Sequence, residues 1–551
     1  MIELESYLQG RWVRGSGRAA TTATLVNPAT EEPIATSNTE GLDFAGALEY
    51  ARRVGGPALR AMTFGARAEM LRSLSRSIHS HRDELIGLAI ANGGNTRQDA
   101  KFDIDGASLT LAAYADVAAE LAKEAPSGAV LVDGAGLPLG RSPRLVGTHL
   151  FVPREGVAVH INAFNFPAWG LAEKAAVALC AGMPVVSKPA SSTAVVAHRI
   201  VRMFVEENLL PEGALSFVAG SPGDLLSHLR GQDVLAFTGA GTTGAKLRAE
   251  SPVREHSVRV NVEADSLNAA VLGPDVEDDS DVMNLFLTDV VRDVTQKTGQ
   301  KCTAIRRVYV PASKVATVLE RLRERLAAIK VGDPSREDVG MGPVATAQQL
   351  ADVRAGVAKL AAHGNIVFGS AERFSPSDAG AGSEGKGFFI RPVLLHVEHP
   401  DPHDAVHTHE VFGPVVTVMP YSEGGAGDGP GDGADGGVDD RGAAHAVRLV
   451  AAGGGGLVSS VYSDDKGFVR SVVLGIAPYH GRVTIGSSKI AGQAIPPGTV
   501  LAQLVHGGPG RAGSGEELGG RRGLAFYMQR VALQGDRALL EIISGQRGAS
   551  S

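Results

Sequence analysis

From Gly156 to Asp265 the chain alternates between short apolar runs and helical stretches, and this alternation restricts its fold more than any other feature. GVAVHINAF is a near-continuous apolar run, the mark of a parallel strand buried on both faces. The pattern then predicts a helix over Pro167–Ala181, the strand MPVVSKP, a helix from about Thr193 to Glu207 and the strand ALSFVAG. A helix over Pro222–Arg230, the strand DVLAFTG, a helix over Thr243–Ser251 and the strand HSVRVNVEAD complete the run. Repeats of this length form a doubly wound α/β sheet, which takes ligands at the carboxyl ends of its strands. A second α/β region runs from about Leu267 to Tyr479, with helices expected over Val315–Ile329 and Ala347–Ala362 and a strand at VVTVMPY. Ahead of the alternation, Leu42 to about Ala125 has apolar residues three and four apart and is expected to be helical. Ala129–Arg154 is rich in turns and β-formers, which suits a hairpin. The edges of such a hairpin must be covered, and a partner subunit is a common cover.

At about 150 residues per domain, 551 residues suggest roughly three domains. The net charge of −7 leaves no basic footprint, so no nucleic-acid partner is expected. Two cysteines in this length exclude a disulfide scaffold and suit a reducing cytoplasm. The start, MIELESYLQGRWVRG, is neither a signal nor a transit peptide. The most apolar region, Ala168–Val186, carries Glu173 and Lys174, which argues against a membrane span. A soluble cytoplasmic protein is the expectation. Between Ser422 and Arg441 lies EGGAGDGPGDGADGGVDD, which cannot bury a core and is expected to be a solvent loop. Without a nine-residue repeat it does not suit calcium binding.

Several stretches carry chemistry. In DVLAFTGAGTTG, Gly239, Gly241 and Gly244 fit G-x-G-x-x-G between a strand and a helix, a dinucleotide-binding pattern. The ribose-binding acid would then be Glu263 or Asp265, although Glu263 also competes for the role of catalytic base. Cys302 follows a Gly299-Gln300 turn in DVTQKTGQKCTAIRR. A lone cysteine is more often a small buried hydrophobe than a nucleophile. As a nucleophile it needs a positive or dipolar setting, which a glycine-led turn into a helix start would supply. Cys180, within AAVALCAGM, is expected in the core. His396, His399, His403, His407 and His409 crowd one Pro-broken segment without a cysteine or regular ligand spacing, so no metal site is expected.

Six stretches in order give these residues a common setting: NAFNFP at Asn162–Pro167, SKPA at Ser187–Ala190, Phe237–Gly244, Glu263 after an apolar strand, Gly299–Cys302, and EVFGP at Glu410–Pro414. Together with NPAT at Asn27–Thr30 and the Gly-rich tail, they resemble the aldehyde dehydrogenase superfamily over about residues 7–535. The resemblance implies a Rossmann-type cofactor domain over 1–126 and 156–266, an oligomerisation hairpin over 127–155, an α/β catalytic domain over 267–480 and a tail over 481–551. It implies that Cys302 attacks the aldehyde, that Asn165 and the Cys302 N–H hold the oxyanion, and that Glu263 activates the hydrolytic water. Lys188 and Ser191 would meet the adenosine ribose, Phe237, Thr238, Gly239 and Gly244 would form the cofactor turn, and Glu410 and Phe412 would flank the nicotinamide ribose and ring. A homodimer or larger assembly is also implied. A CoA-acylating relative would not need Glu263, and a non-enzymatic one would not keep all of Cys302, Asn165 and Glu263.

The departures from the common pattern narrow the resemblance. Ser191 stands where many NAD-preferring members carry a ribose-binding glutamate, which implies NADP, with NAD possible. EADSLN replaces E-L-G-G-K-S-P, HGGPGRAGSGEELGG replaces F-G-G-x-x-x-S-G, and the ending is YMQRVALQG. These point to the branch acting on CoA-linked semialdehydes in aerobic aromatic degradation, either on the benzoyl-CoA route or, alternatively, on phenylacetate ring opening. The stand-alone form is expected, because the bifunctional one continues into a hot-dog-fold hydratase.

Overall fold

The computed structural model describes residues 1–16, 22–125, 130–372, 374, 376, 385–423 and 439–545. Most of the Gly/Asp-rich stretch, 424–438, lies outside the described residues, and with it the expectation of a solvent loop there.

Strands β1 (Ser6–Leu8) and β2 (Arg11–Val13) lie near the start of the chain. Helices α1 (Phe64–Ser80) and α2 (Arg97–Glu124) follow, capped by Thr63 and Thr96, whose hydroxyls accept from Ala66 N and Asp99 N. After β3 (Leu145–Pro153) come β4 (Ala158–Ile161), α3 (Trp169–Ala181), β5 (Val185–Lys188), α4 (Ala194–Glu206), β6 (Leu215–Phe217), β7 (Val234–Thr238), α5 (Gly241–Ala249) and β8 (Arg259–Glu263). They form a seven-stranded sheet in the order β8-β7-β4-β5-β6-β1-β2. The first five strands of that order run parallel, and β1 and β2 close the far edge antiparallel. The chain leaves β4 toward β5 and later returns to β7 on its other side. The topological switch point therefore lies between β4 and β7, where a crevice opens at the strand carboxyl ends.

The expected doubly wound sheet is present, with one exception. Pro222–Arg230 yields only a short 3-10 turn, Leu225–His228, rather than a helix. Gly223 just ahead adopts a φ of +49°, which a right-handed helix cannot include.

The second sheet comprises β9 (Ala269–Leu272), β10 (Arg307–Pro311), β11 (Asn365–Phe368), β12 (Val393–His396), β13 (Val415–Tyr421), β14 (Gly456–Tyr462) and β15 (His480–Gly486), with α6 (Asp281–Thr295) between β9 and β10. Its order is β11-β12-β13-β10-β9-β14-β15, parallel except at β11. The tail adds the hairpin β16 (Val505–Gly508) and β17 (Gly515–Leu518), followed by β18 (Met528–Asp536). β18 lies antiparallel along the whole of β3, from Met528 opposite Pro153 to Asp536 opposite Leu145. The tail thus returns to the hairpin region, with β17 packed against β8 of the first sheet and β16 against β14 and β15 of the second. No described helix is long and apolar enough to cross a membrane.

Candidate active site

Glu263 ends β8, directly beside Thr238 at the end of β7. Its side chain is almost fully buried, and both carboxylate oxygens are held. Oε1 lies 3.0 Å from His506 Nε2 and Oε2 accepts from the Thr238 hydroxyl at 3.3 Å. Thr238 in turn accepts from Lys174 Nζ at 2.7 Å. Lys174 lies on α3, whose residues are buried throughout. A buried ammonium requires partners. Glu517 of β17 lies 3.1 Å from Lys174 and Glu173 lies 3.2 Å away, while Asn261 Nδ2 donates to the other oxygen of Glu517 at 2.6 Å. Burial opposes the charge on Lys174, but Glu517, Glu173 and Glu263 outweigh it and keep the ammonium protonated. Burial likewise opposes ionisation of Glu263, yet His506 and Lys174 hold its carboxyl well below the usual range.

Cys302 reaches this cluster from the opposite side. The turn before it contains three successive residues in the left-handed region: Lys297, Thr298 and Gly299. Such backbone persists only where its surroundings enforce it. Thr298 Oγ1 donates to the carbonyl of Gly342 at 3.0 Å, and Lys297 Nζ lies 4.5 Å over the Phe166 ring, near Asp103 and Asp99. Lys301 pairs with Asp293 at 2.6 Å. Beyond the turn, Asn268 donates to the carbonyls of Cys302 and Ala304, each at 2.8 Å, and its Oδ1 accepts from Leu457 N and Val458 N of β14. The cysteine is thereby tied to the second sheet.

Two expectations for Cys302 require correction. It opens no helix, because the chain passes from its turn into β10. Its setting is also not dominated by cations, although Arg306 and Arg482 stand close enough to act on its charge. Burial first, and the adjacent Glu263 carboxylate second, push the thiol well above its ordinary range. The Cys302 sulfur and a Glu263 carboxylate oxygen lie within 4.8 Å of each other, so the carboxylate is the nearby base that can take the thiol proton. Asn165, in the loop after β4, gives one amide N–H to the Gln300 carbonyl at 3.0 Å, which leaves its second N–H available. Asn165, Glu263, Cys302, Thr238, Lys174 and His506 line one cleft, with Phe102, Phe166, Trp169 and Val500 as its apolar walls.

The remaining predicted residues stand at the ends of β5 and β7, in the turns that follow them, and just ahead of β13. Lys188, at the end of β5, is mostly buried and has no anionic partner among the described residues, and burial lowers it to about 8. Ser191 starts the turn that follows. A buried cation left unpaired at a carboxyl-end crevice fits an anionic or hydroxyl-rich ligand such as a dinucleotide. Gly239 and Gly244 have no room for a side chain, since a Cβ would approach the Phe237 ring at 2.6 Å and Val262 at 2.8 Å respectively. Phe237 itself is core packing beneath the turn, and the Thr238 side chain serves Glu263. The first N–H of α5, at Gly241, is already taken by Asp265 Oδ1 at 2.8 Å. A phosphate approaching that helix end would therefore meet a carboxylate as well as a dipole. Glu410 accepts from Ser266 N at 3.1 Å and from Arg306 Nε at 3.3 Å, and Phe412 packs edge-on against Phe164.

The ligand atoms of Glu263, Cys302 and His506 all lie within 4.8 Å of one another, as do those of Glu173, Glu263 and Glu517. The second group already encloses the Lys174 ammonium, and a metal on the first would tie up thiol and carboxylate together.

The sequence model of the aldehyde dehydrogenase family matches residues 12–427. The chain belongs to that family. This aldehyde dehydrogenase is 40% identical over 508 residues to the 3,4-dehydroadipyl-CoA semialdehyde dehydrogenase of Aromatoleum evansii, covering 92% of this chain and 93% of the relative. It is 29% identical over 426 residues to the lactaldehyde dehydrogenase of Escherichia coli strain K12, covering 76% and 81% of the two chains. Among solved structures, betaine aldehyde dehydrogenase of Staphylococcus aureus in complex with NAD+ superposes with a TM-score of 0.78 at 22% identity, over 97% of this chain and 95% of that one. At that identity the likeness speaks for the fold.

Reading the sequence of this aldehyde dehydrogenase did not single out Lys174, Glu173, Glu517, Asn268 or His506 as parts of the site. A signal existed for the first two. An acid and a base in the middle of an all-apolar helix must find buried partners. His506 was visible only as the residue standing at the phenylalanine of the usual tail motif.

Proposed function

We propose that this aldehyde dehydrogenase oxidises a CoA-linked semialdehyde, 3,4-dehydroadipyl-CoA semialdehyde, to the carboxylic acid with NADP, in aerobic benzoyl-CoA degradation. The observation that carries this reading is the 40% identity to the Aromatoleum evansii enzyme, which extends over nearly the whole of both chains.

In this reading the Cys302 thiol passes its proton to Glu263 as the sulfur adds to the aldehyde carbon. The free N–H of Asn165 and the backbone N–H of Cys302 stabilise the oxyanion of the thiohemiacetal. A nicotinamide dinucleotide bound in the crevice would supply the hydride acceptor that makes the thioester accessible. Glu263 then removes a proton from the water that attacks the thioester carbon, and the Cys302 sulfur leaves and is reprotonated. Lys188 and Ser191 would hold the adenosine ribose and its 2′-phosphate, Glu410 and Phe412 would bind the nicotinamide end, and the Gly239–Gly244 turn would take the pyrophosphate.

The protein acts as a homodimer joined through the β3 and β18 region. β18 has an open outer edge nine residues long, and Leu137, Leu139 and Leu145 on the hairpin and Leu539, Ile542 and Ile543 beyond β18 are exposed apolar residues. Light scattering should give twice the 57.0 kDa chain mass, and a monomer would contradict the dimer.

The substrate reading is tested by kcat/KM for a CoA-linked C6 semialdehyde and for hexanal, each with NADP and with NAD. A large preference for the thioester with NADP is expected. Equal or better turnover of hexanal would overturn the CoA-linked reading while leaving the family chemistry intact.

A further inference from the structure

His506 touches the base yet has no part in the steps above. Its Nε2 lies 3.0 Å from Glu263 Oε1, and both side chains are buried, 3% and 2% exposed. The imidazole, on the Gly-rich hairpin strand β16, is aimed at the carboxylate that lies within 4.8 Å of the Cys302 thiol.

The proton count gives it work. Glu263 is asked to accept two protons in one turnover, the first from the Cys302 thiol and the second from the hydrolytic water. A carboxyl that still holds the first cannot take the second. Lys174 cannot relieve it through Thr238, because its ammonium is already protonated among three carboxylates. The imidazole of His506 is the remaining group in contact.

We infer that His506 is a positioning residue that unloads Glu263 between the two half-reactions, taking at Nε2 the thiol-derived proton from Glu263 Oε1. The Glu263–His506 pair then enters hydrolysis as carboxylate and imidazolium, and the carboxylate takes the proton of the attacking water at Oε2. When the thioester breaks, one of the two protons on the pair returns to the Cys302 sulfur and the other passes from the pair to solvent, which restores the neutral imidazole, while the acid product loses its own proton separately. The inference rests on the proposed roles of Cys302 and Glu263.

The free pair must start with the imidazole neutral and its one proton on Nδ1, so that Nε2 is open to the proton held by Glu263. Burial disfavours the imidazolium, but Glu263 outweighs this and raises His506 above its ordinary value. The charged and titratable groups around it are Glu263 on β8, Glu173 and Lys174 on α3, Cys302 on its turn, Arg482 on β15 and Glu517 on β17. The competent fraction thus grows as pH rises through an apparent value of the pair that lies above the usual 6.5 of histidine.

The test uses the full-length enzyme, NADP and hexanal in rapid-mixing experiments from pH 6 to 9. Absorbance reads the reduced cofactor and intact mass after acid quench reads the Cys302 acyl adduct. For His506→Gln, which can hydrogen-bond but not hold the proton, we expect one reduced cofactor per site in the burst, as in the wild type. Its acyl adduct should persist at least tenfold longer, and hydrolysis should lose the rise with pH seen in the wild type. His506→Phe, which the usual tail motif shows to be a residue this position can pack, should behave in the same way. Unchanged adduct lifetime and pH profile in either folded variant would overturn the inference. So would equal loss of burst and hydrolysis, which marks a merely structural role. A Cys302→Ala variant that still reduces the cofactor with hexanal at the wild-type rate would overturn the Cys302 reading itself, and the inference with it.

Discussion

Lys188 shows how much one buried side chain can say about a cofactor. Burial lowers its pKa to about 8, so the ammonium is favoured below that pH and lost above it. If it faces the 2′-phosphate, the KM for NADP should rise as pH climbs from 7 to 9, while that for NAD changes less. Lys188→Met should flatten the NADP profile, and a flat wild-type profile would contradict the contact. The same burial sets a stability effect of opposite sense. The unfolded lysine keeps its ordinary value near 10.5, so the charged form penalises the fold below pH 8, and the penalty fades between 8 and 10.5. Cys302, Glu263 and Asn165, which the structure brings into one cleft, could each be singled out from a short stretch of sequence. His506, Glu517 and Lys174 were not, because what joins them is the return of the tail onto the first sheet. Spacing in the chain carries no record of a contact between positions 263 and 506.

Among the elements, the segment from Ser266 to Asn268 bears more weight than its length suggests. Asn268 alone joins the carbonyls of Cys302 and Ala304 to the N–H groups of Leu457 and Val458, and the Ser266 hydroxyl also donates to it. Truncation would leave several buried polar groups without a partner, at about 1–3 kcal/mol for each group left unsatisfied. Asn268→Ala leaves the Cys302 and Ala304 carbonyls and Val458 N without that partner, so it should lower unfolding free energy by about 3–9 kcal/mol and reduce kcat with little change in cofactor KM. A denaturant titration together with steady-state kinetics checks both, and an unchanged midpoint would contradict the bracing role. The parallel strands were legible because apolar runs bounded by turns survive any tertiary context. The helix expected at Pro222–Arg230 was not formed, since Gly223 turns the backbone left-handed where apolar spacing alone suggested a helix. The helix start expected at Cys302 failed for a related reason: the left-handed turn at Lys297–Gly299 and the Asn268 bonds direct the chain into a strand.

At the scale of the whole molecule, the site exists only where distant parts of the chain converge. The first sheet contributes Asn165, Thr238 and Glu263, the turn braced against the second sheet contributes Cys302, and the tail hairpin contributes His506 and Glu517. This division suits chemistry in two halves, with a nucleophile delivered from one side and a base fixed on the other. The most direct test is intact-mass spectrometry of Glu263→Gln after mixing with NADP and hexanal. The account predicts that the acyl adduct on Cys302 is still detectable long after the wild type has cleared it, with hydrolysis slowed by about 10²–10⁴-fold, and that Cys302→Ala forms no adduct. An adduct that clears from Glu263→Gln as fast as from the wild type would contradict the central claim that this buried carboxylate is the base of the hydrolytic half.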